Sequence, residues 1–405
     1  MKRLGRPGSV HRGTRWLDDV SPNEASLFFF GWLCLSFLTP AFAEEPQVRV
    51  AIVQEAPSVR ITILEPCRAV DGESGKVLSE WPHLRWQEVK ASNPGLQIGG
   101  VEFASEVVVL VAVKEAEVRV NSRPYRGRLI LHRTSSGKVT VVNRLNLEEY
   151  LVGALSSEVS PAWPKEALKA HAVVSRTMVA HRIWIRRDQP FDVTADTSSH
   201  LYHGVSAERR TTRSAVGETR GQVLAYQGEL LSTTFHANCG GHTEDASELW
   251  GNKADELPLK GRPDPYCRGL RHYRWKAGLS LRELENALRE EARSVGELQA
   301  CEILERNRSG RARSLRLVGT DGTATLTGRR FRELLGANRL RSLNFTVSVE
   351  RGQVRMAGRG WGHGVGFCQW GAYGMARKGK KMEAILSFYF PGAQRRALKG
   401  LPGFS

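Results

Sequence analysis

Between Gln47 and Leu145, short runs of β-branched and other apolar residues alternate with polar ones, and this period of two constrains the fold more than any other feature. Val48-Arg-Val-Ala-Ile-Val53, Val59-Arg-Ile-Thr-Ile63, Val107 to Val113 and Gly127 to Leu131 read as strands. Ser135-Ser-Gly137 marks a hairpin turn before Lys138-Val-Thr-Val-Val142. The N-terminal part of the body is therefore β-rich.

At Asn146 the period changes. Asn146 is placed to cap a helix with Glu149 as its capping-box partner, and Leu147, Tyr150, Leu151, Ala154 and Leu155 recur at helical spacing, which predicts a helix to about Ser157. After Ser160-Pro-Ala-Trp-Pro164 a second helix begins, with Pro164 near its first turn, and continues through Ala167, Leu168, His171, Val174 and Met178. A polar stretch with two histidines, 191–204, precedes a helix over 207–217 and strands over 221–225 and 231–237. Residues 279–293 form an amphipathic helical pattern, 313–328 a hairpin turning at Asp321-Gly322, 331–335 a short helix and 382–390 an apolar closing helix after the glycine-studded stretch 358–374. The expected fold is α+β, a β-rich scaffold with packed helices that carry a substrate cleft. A β-rich segment over 44–125 is expected to precede a main domain over 126–395.

Residues 1–43 read as an export signal. Lys2, Arg3, Arg6, Arg12 and Arg15 supply positive charge, Leu27 to Leu38 is an apolar run short for a bilayer span, and Ala41-Phe42-Ala43 fits a small-x-small cleavage site; an uncleaved anchor is the alternative. Either way the body is expected in the periplasm or cell envelope. The formal charge of the chain is +17, and removing 1–43 takes away five Lys/Arg against three Asp/Glu, so the mature surface stays strongly basic. Wall polymers and membrane surfaces are the expected polyanions. The sequence has no zinc finger, RNP sequence or basic helix with interleaved aromatics, which argues against nucleic acid as a partner.

Glu158 is a candidate for acid/base chemistry by its position. It stands at the end of the first helix, before a Pro/Trp turn, where a substrate can reach it. The negative end of the helix dipole there favours a protonated carboxyl, as a general acid requires. By spacing alone a solvated glutamate would be the simpler explanation.

The surrounding motifs change that balance. Tyr150-Leu-Val-Gly-Ala-Leu-Ser-Ser-Glu158 and Trp163-Pro-Lys-Glu-Ala-Leu-Lys-Ala-His-Ala-Val-Val-Ser-Arg176-Thr resemble the signature of the SpoIID/LytB family (stage II sporulation protein D). In the same order follow Thr219-Arg-Gly-Gln-Val-Leu224, Cys239-Gly-Gly-His-Thr-Glu-Asp245, Gly328-Arg-Arg-Phe-Arg332, and Gly360-Trp-Gly-His-Gly-Val-Gly366 leading to Gln369-Trp-Gly-Ala-Tyr-Gly374. The resemblance implies a peptidoglycan lytic transglycosylase that cuts the MurNAc–GlcNAc β-1,4 bond of denuded strands with Glu158 as its single acid/base. Part of the family is described as amidase enhancers, so a glycan-binding protein that stimulates a cell-wall amidase is the alternative. Arg176 is implied to lie by the site, holding the glutamate or substrate, with a structural salt bridge as its other reading. His200, His363 and Gln369 are nominated as substrate contacts. The run 358–366 lacks the GxGxxG and Gly-Lys-Ser/Thr patterns of nucleotide loops, and its glycines suit positive-φ turns. Glu148, Glu149 and Glu166 are assigned to capping and solvated helix faces.

Cys67, Cys239, Cys267, Cys301 and Cys368 lie in the body, an odd number that leaves at least one thiol unpaired. A Cys239–Cys267 disulfide suits an exported protein, and a zinc site of His236, Cys239, His242 and Cys267 is the alternative. A zinc site through cysteines flanking a Thr-His-Cys sequence, found in some relatives, is in doubt, because only His200 survives in Thr194-Ala-Asp-Thr-Ser-Ser-His-Leu201. No cofactor is required for the implied reaction.

Overall fold

The computed structural model describes residues 45–404 apart from 115, 197–198, 252–256 and 291–292. The export signal and its cleavage site lie outside the described residues. The alternating N-terminal sequence forms β1 (Gln47–Ala56), β2 (Ser58–Ile63), β3 (Cys67–Asp71), β4 (Val77–Trp81), β5 (Leu84–Ala91), β6 (Leu96–Ile98), β7 (Val101–Phe103), β8 (Val107–Ala112), β9 (Val118–Val120), β10 (Arg123–Tyr125), β11 (Arg128–Arg133) and β12 (Val139–Asn146). They make two sheets, one in the order β1-β12-β11-β8-β3-β4 and one in the order β10-β9-β2-β5-β6-β7. Val48 lies opposite Leu145 and Leu129 opposite Leu110. The alternate residues Val48, Val50, Ile61, Ile63, Leu110, Leu129 and Leu131 are buried in one apolar cluster that joins both sheets. Because β1 pairs with β12 and β8 with β11, the domain boundary expected near residue 125 falls inside a sheet and is not a seam.

Two helices follow, α1 (Leu147–Glu158) and α2 (Lys165–Ile185). The Asn146 side chain caps α1 by accepting the Glu148 N–H at 2.8 Å, one residue earlier than a capping box with Glu149 requires. The middle of α2 is buried all round, and its two faces serve different cores. Leu168, Ala172 and Val179 pack in the cluster under the sheets, whereas Ala170, Val173 and Val174 belong to a second cluster.

Beyond α2 come β13 (Val193–Thr194), parallel to β1, then α3 (Arg210–Glu218), β14 (Gln222–Tyr226), β15 (Glu229–Leu230), β16 (Phe235–His236) and α4 (Ser247–Trp250). A lobe of its own is built from β17 (Arg274–Ser280), α5 (Leu281–Glu290), β18 (Leu298–Arg306), β19 (Ala312–Gly319), β20 (Gly322–Thr327), α6 (Gly328–Leu335), β21 (Phe345–Glu350) and β22 (Gln353–Arg359). Leu284, Leu315, Leu317, Phe331, Phe345 and Val354 form its separate core. The hairpin expected over 313–328 is β19–β20, but it turns one residue earlier than expected, at Thr320-Asp321, because Gly322 already pairs with Gly319 as the first residue of β20.

The chain closes with β23 (Phe367–Cys368), α7 (Gln369–Arg377), α8 (Met382–Tyr389) and β24 (Gln394–Ala397). α7 begins within the glycine-studded stretch 358–374, where no helix was expected. Gly371 sits in that helix because a Cβ there would lie 1.9 Å from the Tyr389 hydroxyl and 2.4 Å from Asp264 Oδ2. Close packing therefore overrides the poor helix propensity of glycine.

Candidate functional site

Glu158 ends α1, and the chain then turns at once through Pro161, Trp163 and Pro164 into α2. Its carboxyl is half-buried and accepts the Leu201 N–H at Oε1 (2.8 Å). It also accepts a hydrogen bond from the Gln369 side chain. Burial outweighs these two bonds and pushes the carboxyl above the usual carboxylate range, so the protonated form is favoured.

Behind the acid stand two buried imidazoles. Gln369 donates to Nε2 of His171 (3.0 Å), whose Nδ1–H then points to the Ser175 hydroxyl (3.1 Å). His200 shares a hydrogen bond with the Tyr150 hydroxyl through Nδ1 (3.2 Å), while its buried Nε2 has no partner among the described residues. The Phe235 ring packs on both, 4.8 Å from His171 and 5.2 Å from His200 between centroids. Burial holds His171 down to about 3 and His200 well below the usual histidine range, so both are neutral at physiological pH.

Of the residues singled out from sequence, Glu158, His200 and Gln369 come together in this cluster. His363 joins it through β16, because its Nε2–H donates to the Phe235 carbonyl (2.9 Å) while its Nδ1 accepts the Val365 N–H (3.1 Å). Burial lowers His363 to about 4. Its neighbour Gly364 has φ +94°, and a Cβ there would lie 2.2 Å from the Arg311 guanidinium, so the glycine-rich run does provide positive-φ turns and close approach. His171 and Phe235 were not singled out; His171 falls at a core spacing of α2, and nothing local marks it as a partner of Gln369. A surface depression beside the end of α1 is lined by Ser156, Ser157, Pro161 and Arg209 rather than by Glu158.

Arg176 is elsewhere. Its side chain is fully buried, with Nε and Nη2 donating to the two carboxylate oxygens of Glu148 at 2.7 and 2.6 Å. Its remaining donors reach the carbonyls of Val216 (3.2 Å) and Gln222 (3.1 Å) and the Thr219 hydroxyl (3.4 Å). The guanidinium has no donor left for a substrate, which corrects the placement of Arg176 by the site and gives the structural reading. Glu148 is likewise not a solvated face residue but the buried counter-ion, at the opposite end of α1 from Glu158, about 15 Å away along the axis. Glu166 is half-buried and accepts from Lys169 and from the Met382 N–H.

A row of half-buried rings extends from the turn after Glu158. Trp163 lies 5.0 Å from Trp370 and 5.1 Å from Tyr373, His272 lies 6.3 Å from Trp370, and Trp361 lies 4.6 Å from His272. Arg341 covers the outer Trp361 ring at 4.5 Å.

The thiols Cys239 and Cys267 are buried with their sulfurs 3.3 Å apart. The atoms that converge with them belong to Asp264 and Cys368, all within 4.8 Å of one another. His236 instead hydrogen-bonds through Nδ1 to the Val365 carbonyl (3.1 Å) and His242 to that of Thr243 (2.6 Å), so the two histidines of the anticipated zinc set do not join the thiols.

Comparison with known proteins ties these segments to others. The SpoIID family, described as stage II sporulation protein, matches residues 135–226, which hold Glu158, Arg176 and His200. A domain of unknown function (DUF8618) matches residues 260–366, which include the separate lobe and most of the glycine-rich run. The chain is 33% identical over 354 residues to an uncharacterized protein of Brachyspira hyodysenteriae, covering 87% of this chain and 93% of that one. It is 26% identical over 273 residues to stage II sporulation protein D of Bacillus subtilis, covering 62% and 75% of the two chains. It is also 24% identical over 291 residues to the amidase enhancer of Bacillus subtilis, covering 60% of this chain and 39% of that one.

Proposed function

This chain belongs to the SpoIID family, and from that premise and the surroundings of Glu158 we propose that it is an exported lytic transglycosylase of the cell wall. It cleaves the MurNAc–GlcNAc β-1,4 bond of denuded peptidoglycan strands and leaves 1,6-anhydroMurNAc ends. The observation that carries this reading is a half-buried carboxyl, raised by burial, at the C-terminal end of a helix and held by Leu201 and Gln369.

In the first half of the reaction, protonated Glu158 gives its proton to the glycosidic oxygen, and the bond from that oxygen to the MurNAc anomeric carbon breaks. GlcNAc leaves with a free 4-hydroxyl. In the second half the Glu158 carboxylate takes the proton of the MurNAc 6-hydroxyl as that oxygen bonds to the anomeric carbon. The acid is regenerated, no water is consumed and no metal or cofactor is required. A hydrolytic glycosidase, by contrast, uses two carboxylates. Leu201 N–H and the Gln369 amide hold the carboxyl oxygens through both halves, and neutral His171 fixes the Gln369 amide without adding a charge that would lower the acid. The ring row from Trp163 to Trp361 supplies apolar faces with polar edges, the chemistry that suits a run of sugar rings. The basic surface adds retention on anionic wall polymers.

Glu158→Gln keeps the hydrogen bonds and removes the proton. It is expected to sediment with insoluble glycan as the wild type does while releasing no soluble fragments; retained turnover removes Glu158 from the role. The name of the amidase-enhancer relative supports a second reading, in which the same surface binds glycan and a separate amidase does the cutting. That reading requires faster release of stem peptides when the protein is added to an amidase on intact sacculi, and requires Glu158→Gln to enhance as well as the wild type does.

A further inference from the structure

We propose that Cys239, Cys267, Cys368 and Asp264 hold a zinc ion in a tetrahedral Cys3Asp site that anchors the start of α7. The four residues come from three separate stretches: the turn after β16, the 264–267 loop and the junction of β23 with α7. Cys239 Sγ is 3.3 Å from Cys267 Sγ and 3.2 Å from Asp264 Oδ2, and all four donor atoms lie within 4.8 Å of one another. Donors around a tetrahedral zinc with Zn–S near 2.3 Å and Zn–O near 2.1 Å stand about 3.5–3.8 Å apart, so a small outward adjustment admits the ion.

The surroundings are those of an oriented ligand set. The N–H groups of Cys239 and Gly371 point at Cys368 Sγ (3.2 and 3.3 Å), and those of Gly240 and Gly241 at the Cys267 sulfur. The Tyr389 hydroxyl donates to Asp264 Oδ2 (2.9 Å) and the Tyr266 N–H to Oδ1 (2.8 Å). Such outer bonds fix thiolates and carboxylates in place for a metal. Three sulfurs and one oxygen, all buried, suit zinc before magnesium or calcium. Fully buried Arg311 donates to the Cys239 carbonyl (2.8 Å) and offsets part of the negative charge of three thiolates and a carboxylate. A Cys239–Cys267 disulfide would use two of the three thiols and leave Cys368 and a buried carboxyl beside it without a common purpose.

The site is independent of the reaction assigned to Glu158 but reaches it mechanically. Cys368 caps α7, and the next residue is Gln369, which holds both Glu158 and His171.

The test uses the full chain, purified without added metal, reductant or chelator. Elemental analysis is expected to find about one zinc per chain. Alkylation in denaturant with chelator and without reductant is expected to label every cysteine. Cobalt-loaded protein should show the intense thiolate-to-cobalt absorption of a three-sulfur site, and Cys368→Ala should reduce zinc content at least tenfold while Cys301→Ala leaves it intact. Absence of zinc with a chain two hydrogens lighter identifies the disulfide and overturns the proposal. Zinc retained in both Cys368→Ala and Asp264→Ala overturns it too. If a variant fails to fold, the metal, thiol and cobalt measurements on the wild type still decide.

Discussion

Replacing Arg176 by methionine removes a cation that is completely shielded from water and leaves Glu148, whose side chain is only 11% exposed, without its counter-ion. Five hydrogen bonds end at that guanidinium, two of them charge-assisted to Glu148, and without them the Glu148 carboxylate keeps only the backbone N–H of Gly221 (3.2 Å) among the described residues. Breaking a buried pair from one side costs about 3–5 kcal/mol, because the surviving charge stays in the interior. For a body of this size about 1.3 °C of melting temperature accompanies each kcal/mol, so Arg176→Met should melt roughly 4–7 °C below the wild type. Removing both charges in Glu148→Leu/Arg176→Met should recover at least half of that loss, because no unpaired charge is then left in the interior. The assay is thermal unfolding followed by circular dichroism, beside glycan cleavage measured well below the melting point, where the folded fraction is expected to cleave normally. A variant that melts within a degree or two of the wild type but no longer cleaves would refute the reasoning and return Arg176 to the substrate.

Other outcomes follow from the same geometry. Burial raises Glu158 in the folded chain, so its contribution to stability is complete below the unfolded carboxyl range and is lost as pH rises through the folded value; Glu158→Gln should match the wild type in acid and become the more stable protein near neutrality, read by urea unfolding at several pH values. His171, His200 and His236 have the opposite linkage, being depressed by burial. Each should remove about 1.4 kcal/mol per pH unit as pH falls below about 6.5, where the unfolded chain takes protons that the native one refuses, so steep destabilisation between neutrality and mild acid is expected in the same titration. Gly371→Ala gains up to about 1 kcal/mol of helix propensity but forces a methyl against Tyr389 and Asp264, so a net loss of about 1–3 kcal/mol is expected and a rise in melting temperature would contradict the packing. Asn146→Ala should cost about 1 kcal/mol through loss of the α1 cap.

What was legible in the sequence is what local chemistry writes. The strands between Val48 and Val142 show in their alternation, and α1 shows in Asn146 and the apolar spacing from Leu147 to Leu155, which places Glu158 at a helix end. The partners of those elements are not local. Glu148 precedes Arg176 by 28 residues on a different helix, and only the packing of α1 on α2 turns two ordinary surface residue types into a buried pair. Cys368 meets Cys239 and Cys267 across more than a hundred residues, and Asp264 meets Cys239 across 25, so the nearby histidines looked like the better ligands until the chain was folded. α7 stayed hidden because Gly371 and Gly374 have poor helix propensity, although they are small to admit Tyr389 and the Tyr266 carbonyl. The lobe from β17 to β22 was visible as separate elements but not as a core of its own, since amphipathic patterns do not reveal which elements share an interior.

The most direct test of the central claim is the chemistry of the strand ends. Denuded glycan is incubated with the wild type and, separately, with Glu158→Gln, and the fragments are analysed by mass spectrometry with and without borohydride reduction. The account requires fragments from the wild type alone, each ending in 1,6-anhydroMurNAc, lighter by one water than a reducing end and inert to borohydride. Reducing ends would mean hydrolysis, with a second carboxylate still to be found, and an absence of fragments from a folded, glycan-binding wild type would contradict catalysis and leave a binding protein.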